Sequence, residues 1–237
     1  MSPPLGLPHV HHRSCDSTNE RARALALAGA PHGTLVTADE QAAGRGRHGR
    51  RWSAPPGTAV LMSLIVRGLG ERHALLPLGA AVAACEACEA LAPVSCAIKW
   101  PNDVWIERRK LAGILIEGRP GEGWAVVGIG LNVTATADRL PPELRGSATS
   151  LRIAAGDSAP TVSETLGALL DALPRWLERD PPAILAAWRE RDALLGERVR
   201  WPGGEGTAAG VDDSGALLVD TADGRATPDA GEVHLLR

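Results

Sequence analysis

Nine consecutive residues, Gly44-Arg45-Gly46-Arg47-His48-Gly49-Arg50-Arg51-Trp52, carry four arginines and three glycines just after Gln41. Glycine admits positive φ and lets backbone N–H groups approach a ligand. Arginine adds a permanent charge on a planar fork that matches phosphate or carboxylate. The chemistry this allows is closure of a cationic loop over an anion. Two apolar, β-like runs, 33–37 and 58–66, flank the stretch and would hold its ends, which argues against a disordered linker.

Three further stretches add to it. Lys99-Trp100-Pro101-Asn102-Asp103 sets a cation, an amide and a carboxylate in a short proline-fixed bend. Asn102 and Asp103 offer oxygens to Mg²⁺ while Lys99 meets a phosphate, an arrangement that recurs where ATP is split; a plain Pro-Asn-Asp turn is the bland alternative. Lys110-Leu111-Ala112-Gly113 starts an apolar strand with a lysine, and Gly128-Ile129-Gly130-Leu131-Asn132-Val133 puts two glycines inside another. Glycine weakens a strand interior unless something must approach its backbone, and a ligand is one candidate. No third glycine and no following helix make this a dinucleotide fingerprint.

The elements that must position these groups follow from periodicity. Ser17-Thr18-Asn19-Glu20 has capping-box form and predicts a helix over 17–29, stopped by Gly29 and Pro31. A second, mainly buried helix is expected from about His73 to Leu91, with a kink or late start at Pro77. Strands are expected at 96–99, 103–106, 110–117 and 124–133, with hairpin-type connections at 107–109 and 118–123, so the sheet is at least partly antiparallel. Leu166, Leu169, Leu170, Leu173, Trp176 and Leu177 mark one face of a helix after Thr161, and Pro181 to Leu195 reads as another. Short strands at 198–201, 206–211, 216–219 and 232–235 then predict a small barrel-like unit of about forty residues, marginal alone and so docked on the larger part. The fold class expected is α+β, a mixed and largely antiparallel sheet backed by helices, divided into 1–195 and 196–237.

Bulk properties narrow the function classes. The net charge of −3 over 237 residues lacks the broad basic excess of a nucleic-acid binder. No segment reads as long and apolar enough to span a bilayer, and the start lacks the features of a secretory signal, so a cytoplasmic location is expected. Cys15, Cys85, Cys88 and Cys96 read as reduced thiols without a redox or metal role. His9, His11 and His12 read as a solvated terminus with no role.

In this order and spacing, Asp16-Ser17-Thr18-Asn19, Gln41 with Gly44 to Arg50, Lys99 to Asp103, Lys110 to Gly113 and Gly128 to Val133 resemble the biotin protein ligase family. The resemblance implies a class II aminoacyl-tRNA synthetase-like catalytic domain followed by an SH3-like barrel. It implies ATP-dependent conversion of biotin to biotinyl-5′-AMP, with Mg²⁺, and transfer to a lysine of a biotin carboxyl carrier protein domain. Ser17, Thr18, Asn19 and Gln41 would hold the ureido ring, and Gly44, Arg45, Gly46, Arg47, Lys110, Gly113, Gly128 and Gly130 would surround the acyl and phosphate portion. Arg50, Trp52, Lys99, Asn102 and Asn132 would serve ATP, Trp52 lying near the adenine, and Asp103 with Asn102 would hold the metal. The catalytic work would fall to Arg45, Arg47, Lys99 and Lys110, by charge and positioning; a lysine amine of the acceptor supplies the nucleophile.

Two departures stand out: His48 occupies a loop position where arginine is common, and the chain has no Phe or Tyr, so any aromatic wall must be tryptophan. Some members also repress transcription through an N-terminal helix-turn-helix, for which the fifteen or so residues before Asp16 leave too little chain; a DNA-binding role is not expected. The alternatives are a lipoate or octanoate ligase or transferase of the same superfamily and, more remotely, an RNA-binding module. Monomer and homodimer both stay open, with the strand at Lys110 or its neighbour able to extend a sheet across two subunits.

Overall fold

The apolar runs on either side of the arginine–glycine loop become neighbours in one mixed sheet. The computed structural model describes residues 5–228 and 233–236. In chain order its elements begin β1 (His9–His12), α1 (Thr18–Leu27), β2 (Leu35–Ala38), β3 (Ala59–Arg67), α2 (Leu76–Leu91), β4 (Ala97–Lys99), β5 (Asp103–Ile106), β6 (Arg109–Arg119) and β7 (Trp124–Asn132). The strands are ordered β1-β2-β3-β7-β6-β5-β4, with β1 and β2 parallel and every other pair antiparallel.

Alternation along the strands gives the sheet two different faces. On one, Val60, Met62 and Leu64 of β3 and Val127, Ile129 and Leu131 of β7 join a core shared with α2 and α4 (Val162–Leu177). On the other, Val36, Ile65 and Val126 pack under Ala22 and Ala26 of α1. Further along that second face stand Ser63, Gly113, Gly128 and Gly130, side by side through the pairs Ser63↔Gly128 and Gly113↔Gly130. Small residues there leave a groove floored largely by backbone.

Several expectations need correction. The Ser17 side chain makes no cap bond; its backbone N–H donates to Asp16 Oδ1 at 2.7 Å instead. The true capping box opens α4, where Thr161 and Glu164 satisfy each other's backbone N–H groups. His9 to His12 are not a loose end but the edge strand β1, with His9 Nε2 and His11 Nδ1 at 2.7 and 2.9 Å from the Thr37 hydroxyl. His73–Leu91 is long and apolar enough by composition to cross a membrane, yet 67% of its most apolar 18-residue stretch is buried inside the protein, which marks a core helix. Pro77 lies in the first turn of α2, where its missing N–H costs nothing.

α3 (Leu151–Ala155) precedes α4, and α5 spans only Pro181–Arg189, short of the expected end at 195. After Arg189 the backbone is needed elsewhere: Ile98 N donates to Arg191 O at 2.6 Å and Ala193 N to Ile98 O at 3.0 Å, covering the edge of β4. β6 is interior, paired on both sides, so the strand at Lys110 cannot extend the sheet to another subunit.

The chain ends in a second, antiparallel sheet, β8 (Arg198–Trp201), β9 (Gly204–Val211), β10 (Leu217–Thr221), β11 (Gly224–Ala226) and β12 (His234–Leu235), ordered β11-β10-β9-β8-β12. β11 had no clear signal in the sequence. Val199, Ala208, Leu217, Val219 and Val233 belong to the same core as α2 and α4, so this sheet has no separate interior. Trp100 Nε1 donates to Gly215 O at 2.9 Å, pinning its β9–β10 turn beside the bend at Pro101.

Candidate active site

The groove begins where α1 starts. Ser17, Thr18 and Asn19 are all under 6% exposed and sit over Ser63 and Gly128. A Cβ on Gly128 would fall 2.0 Å from Asn19 Oδ1, so only glycine lets that amide reach the strand. Gln41 Oε1 accepts from the Thr18 backbone N–H at 2.7 Å and from its hydroxyl at 3.1 Å. The Ser63 hydroxyl lies 2.8 Å from Thr18 Oγ1 and donates to Asn19 Oδ1 at 2.6 Å. Asn19 Nδ2 donates to Glu117 Oε2 at 2.9 Å. This is a preorganised polar pocket whose members hold one another's orientation.

Two residues further along β7, Gly130 lies beneath Trp52: a Cβ there would meet the indole at 2.5 Å. Trp52 also covers Gly113, and its Nε1 is buried with no hydrogen-bond partner. Lys110 Nζ stands 5.7 Å from the Trp52 ring, within cation–π range, and 2.7 Å from Asp103 Oδ1. β5 and β6 bring these two together across a register shift between Val104 and Trp105.

The far end is cationic. Among the described residues lining the groove there are six lysines and arginines, Arg45, Arg47, Arg50, Arg51, Lys99 and Lys110, against one carboxylate, Asp103. Burial pushes the Lys99 ammonium down from its usual range, Asp103 partly offsetting this, and Lys99 Nζ lies 5.5 Å from the Trp105 ring. Arg47 is likewise pushed down by burial against the opposing pull of Asp103, yet a guanidinium stays charged. Arg47 donates to Asn102 Oδ1 at 3.4 Å, and Asn102 Nδ2 donates to Ile114 O at 2.6 Å. So many cations around one carboxylate favour an anion there, and Asp103 and Asn102, whose Oδ1 atoms meet Lys110 and Arg47, are the oxygens beside them that could serve a divalent cation.

The arginine–glycine loop joins β2 to β3 and is more ordered than its composition suggests. Trp52 N donates to Gly44 O at 3.0 Å and Gly46 N to Arg50 O at 2.8 Å, closing it on itself. His48 takes the left-handed conformation with φ 53°, followed by Gly49 at φ 73°. Arg45 points back, not into the groove end: it pairs with Glu117 at 2.9 Å and with Glu20 of α1.

Of the residues singled out in the sequence, Ser17, Thr18, Asn19, Gln41, Arg45, Gly46, Arg47, Arg50, Trp52, Lys99, Asn102, Asp103, Lys110, Gly113, Gly128 and Gly130 line the one groove. Gly44 and Asn132 do not. Gly44 packs on the Trp52 backbone at the base of the loop. Asn132 is 5% exposed, donates to Thr149 O at 3.0 Å and leaves its Oδ1 without a partner. Sequence reasoning missed Ser63, Glu117 and Val233. Ser63 was signalled by a polar residue in an apolar run; Val233, which lines the groove from just before β12, had no signal as a site residue.

Fold and groove together define an α+β protein whose one polar groove runs from a hydrogen-bonded head to a cationic end beneath an arginine–glycine loop. This chain belongs to the biotin/lipoate A/B protein ligase family, whose model matches residues 12–133, and the model of the biotin protein ligase C terminal domain matches residues 194–236. A biotin–[acetyl-CoA-carboxylase] ligase of Paracoccus denitrificans is 38% identical over 235 residues, covering 92% of this chain and 96% of its own length. One from Mycobacterium tuberculosis is 35% identical, covering 93% and 86%. The structure of the biotin protein ligase from Aquifex aeolicus in complex with biotin and ATP is similar at TM-score 0.84 and 29% identity, over 97% of this chain and 98% of the other.

Proposed function

We propose that this chain is an ATP-dependent biotin protein ligase, and the observation that carries the reading is the graded groove: a hydrogen-bonding head, a glycine floor and a cationic end. The ureido ring lies against Ser17, Thr18, Asn19 and Gln41, and the acyl chain runs over Gly128 and Gly130 toward Lys110. Biotin carboxylate and the α-phosphate repel each other in water; Lys110, Arg47 and Arg45 neutralise both and stabilise the charge that develops at phosphorus. Carboxylate oxygen attacks that phosphorus, pyrophosphate leaves toward Lys99 and Arg50, and biotinyl-5′-AMP remains. Gly128, Gly130 and Asn132 follow one another along β7, which supports an adenine end beyond Trp52, where the orphaned Asn132 Oδ1, just outside the groove lining, suits an exocyclic amine. The loop then excludes water from the mixed anhydride until an acceptor lysine attacks the acyl carbon and AMP departs.

Asp103 and Asn102 fit Mg²⁺ as a partial donor set, since Mg²⁺ takes one or two protein oxygens and completes its shell from phosphate and water. When bound it would neutralise charge on the leaving phosphates. We take the acceptor to be a biotin carboxyl carrier protein domain, the location to be cytoplasmic and the assembly to be a monomer or homodimer. The catalytic sheet we read as class II aminoacyl-tRNA synthetase-like and the second sheet as an SH3-like barrel beginning near residue 196. Both are supported by the antiparallel strand orders and by the C-terminal match from residue 194.

The test is biotin-dependent exchange of labelled pyrophosphate into ATP with Mg²⁺, with lipoate and octanoate in parallel, followed by transfer to a carrier domain. Exchange with biotin is expected; exchange only with lipoate or octanoate would move the chain to the sister activity, and none with any acid would overturn the reading.

A further inference from the structure

One carboxylate serves both the head pocket and the loop. Glu117 Oε2 accepts from Asn19 Nδ2 at 2.9 Å, and Glu117 Oε1 lies 2.9 Å from an Arg45 terminal nitrogen. Glu20, on the same helix as Asn19, holds the other terminal nitrogen of Arg45. Gln41, just before the loop, is bound to Thr18, so both ends of the loop's first half are tied to the residues that read the head.

Resting on the biotin-ligase reading, we propose that Glu117 is a positioning residue with two tasks: it orients the Asn19 amide toward the ligand head, and with Glu20 it parks Arg45 away from the phosphate site. Because Nδ2 of Asn19 is spent on Glu117 and, more weakly at 3.4 Å, on Leu115 O, Oδ1 is the edge presented to Ser63 and to the pocket. Arg45 cannot pair with two carboxylates and cover a phosphate together, so Glu20 and Glu117 compete with the incoming anion for one guanidinium. A parked arginine lowers the fraction of molecules competent to close, and the apparent affinity for ATP and adenylate falls by that fraction. The gain for the enzyme is a loop that stays ordered yet closes only when an anion outbids two partly buried carboxylates.

The expected signs differ from those of damage. Glu117→Gln keeps an oxygen for Asn19 but turns an amide toward Arg45, and Glu20→Gln leaves the head pocket alone, touching Arg45 and, at 3.3 Å, the exposed Arg23 one turn along α1. Each should slow biotinyl-AMP release and lower the ATP KM about two- to fivefold, the size of a partly exposed ion pair, with the biotin Kd within about twofold of the parent. Glu117→Ala removes the support of Asn19 as well and should raise the biotin Kd about tenfold. In the ligand-free chain, both Gln variants should be cut faster by trypsin at Arg47, Arg50 or Arg51 while melting at the parent temperature.

Faster adenylate release in both Gln variants, or a loss of biotin affinity in Glu117→Gln equal to that in Glu117→Ala, would overturn the proposal. So would unchanged trypsin cleavage, which needs no substrate and therefore separates failure of the parking from failure of the biotin-ligase reading.

Discussion

Gly128→Ala probes the head pocket most directly. Its new Cβ would lie 2.0 Å from Asn19 Oδ1 and 2.8 Å from Asn19 Cγ. Carbon–oxygen contacts below about 3 Å are steeply repulsive, so the amide must retreat by about 1 Å. Nothing nearby yields easily: Asn19 is 5% exposed, on a helix packed against Ile65 and Val126, and Gly128 is held in register between Ser63 and Leu115. Such a retreat breaks the 2.6 Å bond from Ser63 and strains the 2.9 Å bond to Glu117, besides displacing the amide proposed to meet the ligand head. One neutral hydrogen bond contributes about 1 kcal/mol and one to a charged group about 1.5–3 kcal/mol, so a loss of about 2–3 kcal/mol in biotin affinity is expected, or roughly 30- to 150-fold in Kd.

Calorimetric titration with biotin reads this, with Tm as the control for folding, where an overpacking cost of about 1–2 kcal/mol should lower Tm by roughly 2–8 °C. The neighbouring glycines grade the test. Gly113→Ala meets the flexible end of Lys110 at 3.2 Å and Trp52 at 3.3 Å, contacts that can give. It should stay within about threefold of the parent. Gly130→Ala collides with the Trp52 ring at 2.5 Å and should impair ATP use more than biotin binding. A Gly128→Ala protein that binds biotin within about threefold of the parent, or a Gly113→Ala protein that binds it worse, would refute the placement of the head against Asn19.

Arg47→Ala removes a charge lining the groove and should speed biotinyl-AMP release about 10- to 100-fold, measured by trapping, while Tm stays unchanged; unchanged release would sink its role. Burial raises the Asp192 carboxyl above its usual value, and its Oδ2 has no partner. The folded state therefore holds that proton more tightly than the unfolded one, and stability falls as pH rises from about 3.8 through the raised pKa. Asp192→Asn should then raise Tm at neutral pH, and the gain should vanish in melts taken near pH 3.8; a constant or inverted difference would contradict this. Glu107 and Arg108 form the two-residue β5–β6 turn with φ 49° and 61°. Replacing them with Asn and Gly, which tolerate positive φ, should stabilise by about 1 kcal/mol, or roughly 2–4 °C in a scanning melt.

Much of the groove was legible because its residues break strand rules. Glycines at 113, 128 and 130 have no reason to sit in apolar strands unless something approaches, and the approach was read correctly. What approaches could not be read, since it depends on register: Asn19 fills the space over Gly128 and Trp52 that over Gly130. The arginines were legible as a cationic cluster by composition, but the pairing of Arg45 rests on Glu20 and Glu117, which are 97 residues apart in the chain and read separately as a helix start and a strand end.

The misread elements share a cause, which is that a backbone group was wanted by a distant partner. The 181–195 pattern is helical throughout, yet residues 191–193 leave the helix because Ile98 on the edge strand β4 needs hydrogen bonds. Ser17 is the local exception: it has the chemistry of a cap, but its immediate neighbour Asp16 takes its N–H. β1 lacks strand-forming composition and exists because β2 offers it a parallel edge. The same sheet is thus made from two kinds of information. Its helix-covered face, rich in Val, Leu and Ile, follows from local alternation, whereas its ligand face is a set of deletions, small residues whose value appears only when a helix start and a loop from elsewhere are laid over them. The polar head, glycine floor and cationic end thus share one face of the sheet, and the core of Val60, Met62, Leu64, Val127, Ile129 and Leu131 is packed against the other.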